Sequence, residues 1–306
     1  MKKYYLRFSK SCKPIVIILT LLFALSIVAC GDTASQDPPQ PIETPEQIAP
    51  TPEPTPEPTP EPEPEPELQL PDEIELIVFA AASMTDTLEE IAEIYKDAAP
   101  HVKLVFNFDS SGTLKTQIEE GAECDLFISA AQRQMNELEE LELLLEDTRV
   151  NILENKVALV SAPGNPKSIT GFNSLVEALL DGDILMAIGN SDVPVGQYTI
   201  SILEYFDLNE DKLVQSGLIT YGSNVKEVTT QVSEASVDVG IVYQTDAFSA
   251  GLDILAFATP EMCGQVIYPA AVPANSLNIK EAQAFLDFLF TPRAITIFES
   301  VGFSTL

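Results

Sequence analysis

The sequence is poor in the residue types on which many functional sites depend. Its 306 residues include no tryptophan, one histidine, four cysteines and 16 Lys or Arg residues, against 47 acidic residues. A single histidine leaves little room for histidine-based catalytic triads or for metal sites with several histidine ligands. The net charge of −31 argues against nucleic acid as a partner, because phosphate backbones are bound through Lys and Arg. With 45% apolar residues, the chain can still bury a sizeable core.

The N-terminal segment is the one part of the chain with an excess of positive charge. Residues 1–29 contain five basic residues, no acidic residue and an apolar run over 15–29. That run has the length of a secretory hydrophobic segment and is short for a membrane span. It ends in Ile27-Val-Ala-Cys30, which resembles the bacterial lipobox. We therefore predict a lipoprotein signal peptide over 1–29 and lipidation of Cys30, with an uncut signal anchor as the alternative.

The next segment has the composition of a disordered stalk. Residues 31–75 hold 14 of the 23 prolines, 13 acidic residues and no Lys or Arg, with Thr-Pro-Glu-Pro repeats from Thr51 onward. Such a segment has little to bury and favours extended polyproline II conformations. We predict a Pro/Glu-rich disordered tether over 30–75 that spaces the folded part from the membrane. A Pro-rich ligand for another protein is the alternative.

The remaining 231 residues are acidic and apolar enough to fold. Without the signal peptide the net charge is −36, and without the 13 acids of the tether it is −23 for residues 76–306. Any anion that this part binds must therefore be held without long-range attraction. Cys124 and Cys263 are its two cysteines. They could pair in an exported protein, and the sequence leaves this open.

The folded part alternates β-branched runs with helical periodicity. Strands are predicted over 74–80, 102–108, 125–129, 156–161, 185–188, 218–221, 239–243, 254–258 and 266–272. Helices are predicted over 86–97, 113–119, 132–145, 175–180, 194–206, 225–233, 279–290 and 292–300. This alternation predicts an α/β fold with parallel sheets. Two lobes fit the usual size of domains better than one sheet of this length.

Four strand-to-helix turns have the composition of helix N-termini, at 80–85, 108–113, 192–197 and 221–225. The N–H groups there lack partners within the helix and carry partial positive charge, which makes them anion sites. In open α/β sheets, ligands also bind at the carboxyl ends of the strands. For any one turn taken alone, ordinary N-capping is the favoured interpretation.

Taken together and in order, these turns resemble those of a known family, the molybdate-binding proteins of ABC importers. The resemblance extends from about Glu75 to the end of the chain. It is carried by Phe79-Ala-Ala-Ala-Ser-Met-Thr-Asp, Ser110-Ser-Gly-Thr-Leu, Gln117-Ile-Glu-Glu-Gly-Ala-Glu-Cys-Asp-Leu-Phe-Ile-Ser129, Val193-Pro-Val-Gly-Gln-Tyr198, Gly240-Ile-Val-Tyr243 and Val301-Gly-Phe303.

The resemblance implies a two-lobed, periplasmic-binding-protein-like clamp with a two-strand hinge. The chain would leave the first lobe near Asn155 and return near Tyr268. Lobe I would consist of 76–155 and 268–306, and lobe II of 156–267. The implied protein is an extracytoplasmic solute-binding protein, not an enzyme, that captures molybdate or tungstate without a cofactor. It would act as a monomer and deliver the oxyanion to a membrane permease with its ATPase.

The resemblance also implies which residues hold the oxyanion. Ser83, Ser111 and Tyr243 match the side-chain donors, while Val195 and Val225 match the backbone amide donors. Such a set suits molybdate, a tetrahedral dianion whose oxygens only accept hydrogen bonds, and it requires no resident metal. The sequence departs from the family pattern at Asp109, beside the second serine. An acid there would weaken anion binding if it points inward.

Three alternatives remain open at this stage. The same clamp could bind sulfate, phosphate or another small anion, and an inward Asp109 or Asp192 would favour phosphate, whose proton needs an acceptor. Ser223-Asn-Val-Lys226 matches the Ser-x-x-Lys pattern of serine acyl enzymes. The tether would also suit a surface interaction module on a stalk.

Overall fold

The computed structural model describes residues 73–306. The predicted signal peptide, Cys30 and the tether up to residue 72 lie outside these residues. Within them, no helix has the length and apolar content needed to cross a membrane. Cys124 and Cys263, for which the sequence left pairing open, are both free thiols.

The described residues contain two β-sheets. Their strands are β1 Ile74–Ala81, β2 Val102–Asp109, β3 Leu126–Ile128, β4 Val150–Asn155, β5 Val157–Ser161, β6 Met186–Gly189, β7 Ile219–Gly222, β8 Val239–Tyr243, β9 Ile254–Phe257, β10 Val266–Ala271 and β11 Ser304–Thr305. The first sheet has the order β11-β4-β10-β3-β1-β2 and the second the order β7-β6-β8-β5-β9.

The helices connect these strands and cover the sheets. They are α1 Thr85–Ala98, α2 Ser111–Glu119, α3 Gln132–Glu140, α4 Phe172–Asp181, α5 Pro194–Tyr205, α6 Glu210–Gln215, α7 Val225–Ser233, α8 Gln244–Ser249, α9 Pro260–Cys263, α10 Ile279–Leu289 and α11 Pro292–Ser300. A single 3-10 turn, Ala82–Met84, leads from β1 into α1.

The chain crosses between the sheets twice. It passes directly from β4 to β5 and returns between β9 and β10. We call the first sheet with its helices the first lobe, and the second sheet with its helices the second lobe. These two crossings confirm the predicted α/β clamp with two connecting segments. The predicted lobe limits stay a proposal, with one correction: Val266 and Ile267 pair with β4 and so belong to the first sheet.

The sheets are mixed, which corrects the prediction of parallel sheets. β1 lies parallel to β2 and β3, and β6 lies parallel to β7 and β8. β10 is antiparallel to β3 and β4, and β5 is antiparallel to β8 and β9. Each antiparallel pair contains β4, β5 or β10, the strands that adjoin the two crossings between the sheets.

Several predicted elements differ from those observed. β4, β11, α6, α8 and α9 were not predicted, and α3 ends at Glu140 instead of 145 because Glu142 adopts a left-handed conformation (φ 58°). β1 begins at Ile74, which pairs with Val102, so it includes the last residues assigned to the tether. The other predicted strands and helices are present with ends shifted by at most a few residues.

The core of each lobe lies between its sheet and its helices. In the first lobe, Leu76, Val78 and Leu126 on the strands pack with Leu88 and Ile91 of α1, all of them fully buried. α1 buries Thr87, Leu88, Ile91 and Tyr95 at helical spacing, which matches the periodicity read from the sequence. This packing fixes the starts of the helices relative to the strand ends.

Candidate functional site

A small cavity of about 10 Å³ lies where the two lobes meet. Its walls come from the carboxyl ends of β1, β2 and β8 and from the starts of α2, α5 and α7. No Lys or Arg lines it. The lining residues are Ala81, Ala82, Ser83, Asp109, Ser110, Ser111, Ala130, Val193, Pro194, Val225 and Tyr243.

Four of the five predicted site residues line this cavity: Ser83, Ser111, Val225 and Tyr243. Val195, the fifth, is fully buried as the second residue of α5 and does not line the cavity. Val193 and Pro194, which precede it, do line it. The fold therefore brings together donors that lie up to 160 positions apart in the sequence.

The two backbone positions occupy the first turns of helices. Val225 is the first residue of α7, whose N-cap Asn224 accepts a hydrogen bond from the N–H of Glu227. Pro194 is the first residue of α5 and has no N–H, so Val195 is the first residue of this helix with a donor. N–H groups of a first helical turn have no acceptor within the helix and carry partial positive charge. Both helices thus start with geometry suited to an anion.

Adjacent serines at the start of α2 have different roles. The Ser110 side chain caps the helix by accepting a hydrogen bond from the Thr113 N–H at 3.1 Å. The Ser111 hydroxyl is fully buried and accepts a hydrogen bond from the Ala130 N–H at 3.0 Å. Since its oxygen accepts that bond, the Ser111 hydroxyl retains its proton for a second partner. Ser111 is therefore better placed than Ser110 to donate to a ligand.

Ser83 lies in the 3-10 turn after β1 and is 7% exposed. Its hydroxyl oxygen lies 2.8 Å from the hydroxyl of Tyr268 on β10. Tyr268 in turn accepts a hydrogen bond from the Asn155 side chain at 3.2 Å. The sequence marked Asn155 and Tyr268 only as hinge positions, and nothing local indicated that they contact a site residue.

Tyr243 presents a buried hydroxyl at the end of β8. The residue is 1% exposed, and its hydroxyl has no hydrogen-bond partner among residues 73–306. Burial raises the pKa of Tyr243 well above its usual value, with a further contribution from Tyr268. The phenol therefore keeps its proton and can donate it. An unpaired buried hydroxyl is costly, which marks the adjacent cavity as the place where a partner belongs.

Asp109 also lines the cavity, as the sequence analysis considered, and it is half-buried. One of its carboxylate oxygens accepts a hydrogen bond from the Ser110 N–H at 2.7 Å. Asp192 is exposed and is not among the lining residues. Of the two acids considered in the sequence analysis, Asp109 alone is therefore in a position to affect a ligand.

Within residues 73–306 there is no group of three or more His, Cys, Asp or Glu side chains that could hold a metal ion. The arrangement instead offers hydroxyl and N–H donors with a single acid. Such donors suit a small ligand that is rich in hydrogen-bond acceptors. A two-lobed fold with such a cavity between the lobes defines a solute-binding protein.

Comparison with known proteins agrees with this class. The family model of bacterial extracellular solute-binding proteins matches residues 76–304. The molybdate-binding protein ModA of Escherichia coli (strain K12) is 33% identical over 242 residues, which cover 77% of this chain and 91% of ModA. YvgL of Bacillus subtilis (strain 168), 31% identical over 76% of this chain and 87% of its own length, bears the provisional name of an ABC transporter substrate-binding lipoprotein.

A solved structure shows the same fold. The periplasmic molybdate-binding protein of Azotobacter vinelandii superposes with a TM-score of 0.65 at 23% identity, covering 75% of this chain and 98% of that protein. The chain therefore belongs to the family of bacterial extracellular solute-binding proteins, as a ModA-like member of it.

Proposed function

We propose that this protein captures molybdate or tungstate outside the cytoplasm for an ABC importer. One observation carries the proposal: Tyr243, whose buried hydroxyl has no hydrogen-bond partner among residues 73–306, lines the same cavity as Ser83 and Ser111. The ModA-like relatives named above support the choice of ligand.

The proposed ligand set consists of five donors. Ser83, Ser111 and Tyr243 donate through hydroxyl groups, while Val195 and Val225 donate through backbone N–H groups. A dianion of four acceptor oxygens can satisfy all of them, and each charge-assisted hydrogen bond contributes on the order of 1.5–3 kcal/mol. The helix N-termini supply partial positive charge where the cavity has no basic side chain.

The positions of Ser223 and Lys226 do not favour the acyl-enzyme chemistry that the Ser-x-x-Lys pattern suggests. Lys226 donates a hydrogen bond to Asp86 at 2.7 Å and is therefore engaged away from Ser223. Ser223 is an exposed residue outside the cavity. We therefore propose that the protein is not an enzyme and uses no cofactor.

Calorimetry of the full-length protein with molybdate, tungstate, sulfate and phosphate tests the ligand. We expect molybdate and tungstate to bind at least tenfold more tightly than the other two. Ser223→Ala, which lies outside the cavity, serves as the control and should bind like the unmodified protein. Equal affinity for all four anions, or no binding of molybdate, would contradict the proposal.

A protonated oxyanion such as hydrogen phosphate is a second candidate because Asp109 lines the cavity. A carboxylate repels a dianion and accepts a hydrogen bond from a protonated anion. If molybdate is the ligand, Asp109→Ala should bind it more tightly than the unmodified protein does. If phosphate is the ligand, the same substitution should weaken phosphate binding.

The export of the protein and the delivery of its ligand are further proposals. We propose that Cys30 carries the lipid that holds the protein at the outer face of the cell membrane, and the provisional naming of YvgL as a lipoprotein supports this. We further propose that the monomer delivers its ligand to a permease with its ATPase and binds no nucleic acid. Cys30→Ser should abolish labelling by a radioactive fatty acid, and a labelled mutant would refute the anchor.

A further inference from the structure

A row of buried hydrogen bonds leads from the second lobe to the cavity. Thr245 of α8 and Tyr268 of β10 both accept hydrogen bonds from the Asn155 side-chain amide, at 3.0 and 3.2 Å. The hydroxyls of Tyr268 and Ser83 lie 2.8 Å apart. These four residues are at most 7% exposed, so water does not compete for their hydrogen bonds.

The orientation of the Asn155 side-chain amide determines which groups donate and which accept in this row of hydrogen bonds. The backbone N–H of Lys156 donates to the Asn155 side-chain oxygen at 2.8 Å. A backbone N–H can only donate, so this contact determines which end of the amide is the oxygen. The two protons of the amide nitrogen must then point at Thr245 and Tyr268.

The hydroxyl protons of Tyr268 and Ser83 can be followed toward the cavity in the same way. The oxygen of Tyr268 accepts from Asn155, so its single proton is available for Ser83. Burial raises the pKa of Tyr268 well above its usual value, which keeps that proton in place. When the Ser83 oxygen accepts this proton from Tyr268, the Ser83 hydroxyl has its own proton free for the cavity that it lines.

We infer that Asn155 and Tyr268 are positioning residues that turn the Ser83 hydroxyl proton toward the bound oxyanion. The inference rests on the proposed function. It assigns the two hinge positions a role in binding, because Asn155 ends β4 where the chain leaves the first lobe. Without Tyr268, the Ser83 oxygen would have no donor in this row, and its proton would no longer be directed at the ligand.

A double-mutant cycle on the full-length protein tests this role with molybdate as the probe. Tyr268→Phe should weaken binding roughly 3- to 30-fold, the loss expected for one misdirected hydrogen bond. In a Ser83→Ala background, the same substitution should cause no further loss, because no hydroxyl remains to be oriented. Tyr95→Phe is the control, since Tyr95 is also buried but packs against Phe285 and Phe288. It should bind molybdate normally.

Each outcome decides between the alternatives. An equal loss from Tyr268→Phe in both backgrounds would reveal a merely structural role and overturn the inference, as would unchanged binding by Tyr268→Phe. An unmodified protein that does not bind molybdate would refute the proposed function instead.

If Tyr268→Phe does not fold, Asn155→Asp replaces it. This variant keeps the shape but turns the donor nitrogen into an acceptor, and its loss of affinity should shrink when Ser83 is absent. An equal loss with and without Ser83 would overturn the inference.

Discussion

The donors around the cavity differ in what a substitution can remove. The hydroxyls of Ser83, Ser111 and Tyr243 belong to side chains, whereas the N–H groups of Val195 and Val225 belong to the backbone. Replacing a valine by a smaller residue keeps the amide, while replacing a serine by alanine deletes the donor. The proposed site therefore predicts that substitutions at Ser111 and at Val225, which line the same cavity, differ in their effect on affinity.

Ser111→Ala is expected to weaken molybdate binding about ten- to a hundredfold, the loss of one hydrogen bond to a charged ligand. Val225→Ala is expected to bind within a few-fold of the unmodified protein, because its N–H survives. Titration calorimetry of both variants measures the difference. A damaging Val225→Ala beside a silent Ser111→Ala would contradict the proposed ligand set.

The most unusual acid in the described residues is Asp246. It is 1% exposed, and neither of its carboxyl oxygens has a hydrogen-bond partner among residues 73–306. Burial raises its pKa from 3.8 to about 7, although Lys226 opposes the shift. The unfolded chain ionises this group near its ordinary pKa, so the free energy of unfolding should decrease as the pH rises from about 4 to about 7. Above that range the decrease should be complete.

Asp246→Asn is expected to remove this penalty. The variant should be more stable than the unmodified protein by roughly 2–4 kcal/mol at pH 8 and by clearly less at pH 5. Urea unfolding at the two pH values measures this difference. Glu93→Gln, at an exposed position of α1, should show no comparable change with pH. A stability difference for Asp246→Asn that is the same at both pH values would contradict the assignment.

At the scale of elements, the start of α5 depends on close backbone packing against the end of β6. A Cβ atom at Gly196 would lie 2.3 Å from the carbonyl oxygen of Gly189 and 2.4 Å from that of Asn190. Both neighbours are backbone atoms that cannot rotate away. The absence of a side chain at this position therefore sets where α5 begins, and with it the position of the Val195 N–H.

Gly196→Ala is expected to push α5 away from β6. We expect a destabilisation of about 1–3 kcal/mol, typical of overpacking, together with at least tenfold weaker molybdate binding. Ser201→Ala, further along the same helix, is the control and should leave the affinity unchanged. Thermal unfolding and calorimetry measure both effects. Normal binding by Gly196→Ala would show that the start of α5 does not contribute a donor.

At the scale of the molecule, two of the hydrogen bonds that join the lobes involve residues close in sequence to those that line the cavity. Lys226 of α7 donates to Asp86 of α1 at 2.7 Å, and this hydrogen bond lowers the pKa of Asp86. The N–H of Gly112 donates to the carbonyl oxygen of Asp192 at 3.0 Å. Asp86 lies three residues after Ser83, and Lys226 follows Val225 directly. This ion pair between the lobes therefore lies close in sequence to two of the proposed site residues.

Asp86→Asn is expected to weaken molybdate binding about two- to fivefold, since partly exposed ion pairs contribute little each. The loss should be smaller at high salt, because screening already weakens the pair. The double variant Asp86→Asn with Lys226→Met should lose less affinity for molybdate than the two single variants lose in sum. Glu93 and Lys96, an ion pair within α1, provide the control pair, whose removal should leave affinity unchanged.

Closure of the two lobes around a ligand can be measured by small-angle scattering. If the crossings near Asn155 and Tyr268 act as a hinge, molybdate should cause a modest decrease in the radius of gyration. Asp86→Asn should require more molybdate for the same decrease. A scattering profile that does not change at saturation would argue for a rigid protein.

Local patterns in the sequence account for much of this protein. The β-branched runs and helical periodicities predict most elements, because burial of one face imposes a period on each element. Four of the five site residues that the resemblance of the turn motifs predicts line the cavity, and their role in binding stays a prediction. The elements that were missed, such as β4 and α8, are short or rich in polar residues and owe their conformation to their neighbours in the fold.

The strand directions, the long-range hydrogen bonds and the burial of single groups are visible only in the tertiary structure. The strand directions depend on how the chain crosses between lobes, and the sequence does not encode that in any local period. The hydrogen bond between Ser83 and Tyr268 joins residues 185 positions apart, and the burial of Asp246 results from packing of several elements around it. Composition and periodicity determined that this is an acidic α/β protein, and the resemblance of its turn motifs to a known family pointed to a binding protein with a proposed set of donors for an anion. Long-range packing determined which hydroxyls remain free to hold the anion, because a donor's availability depends on every neighbour that the fold brings to it.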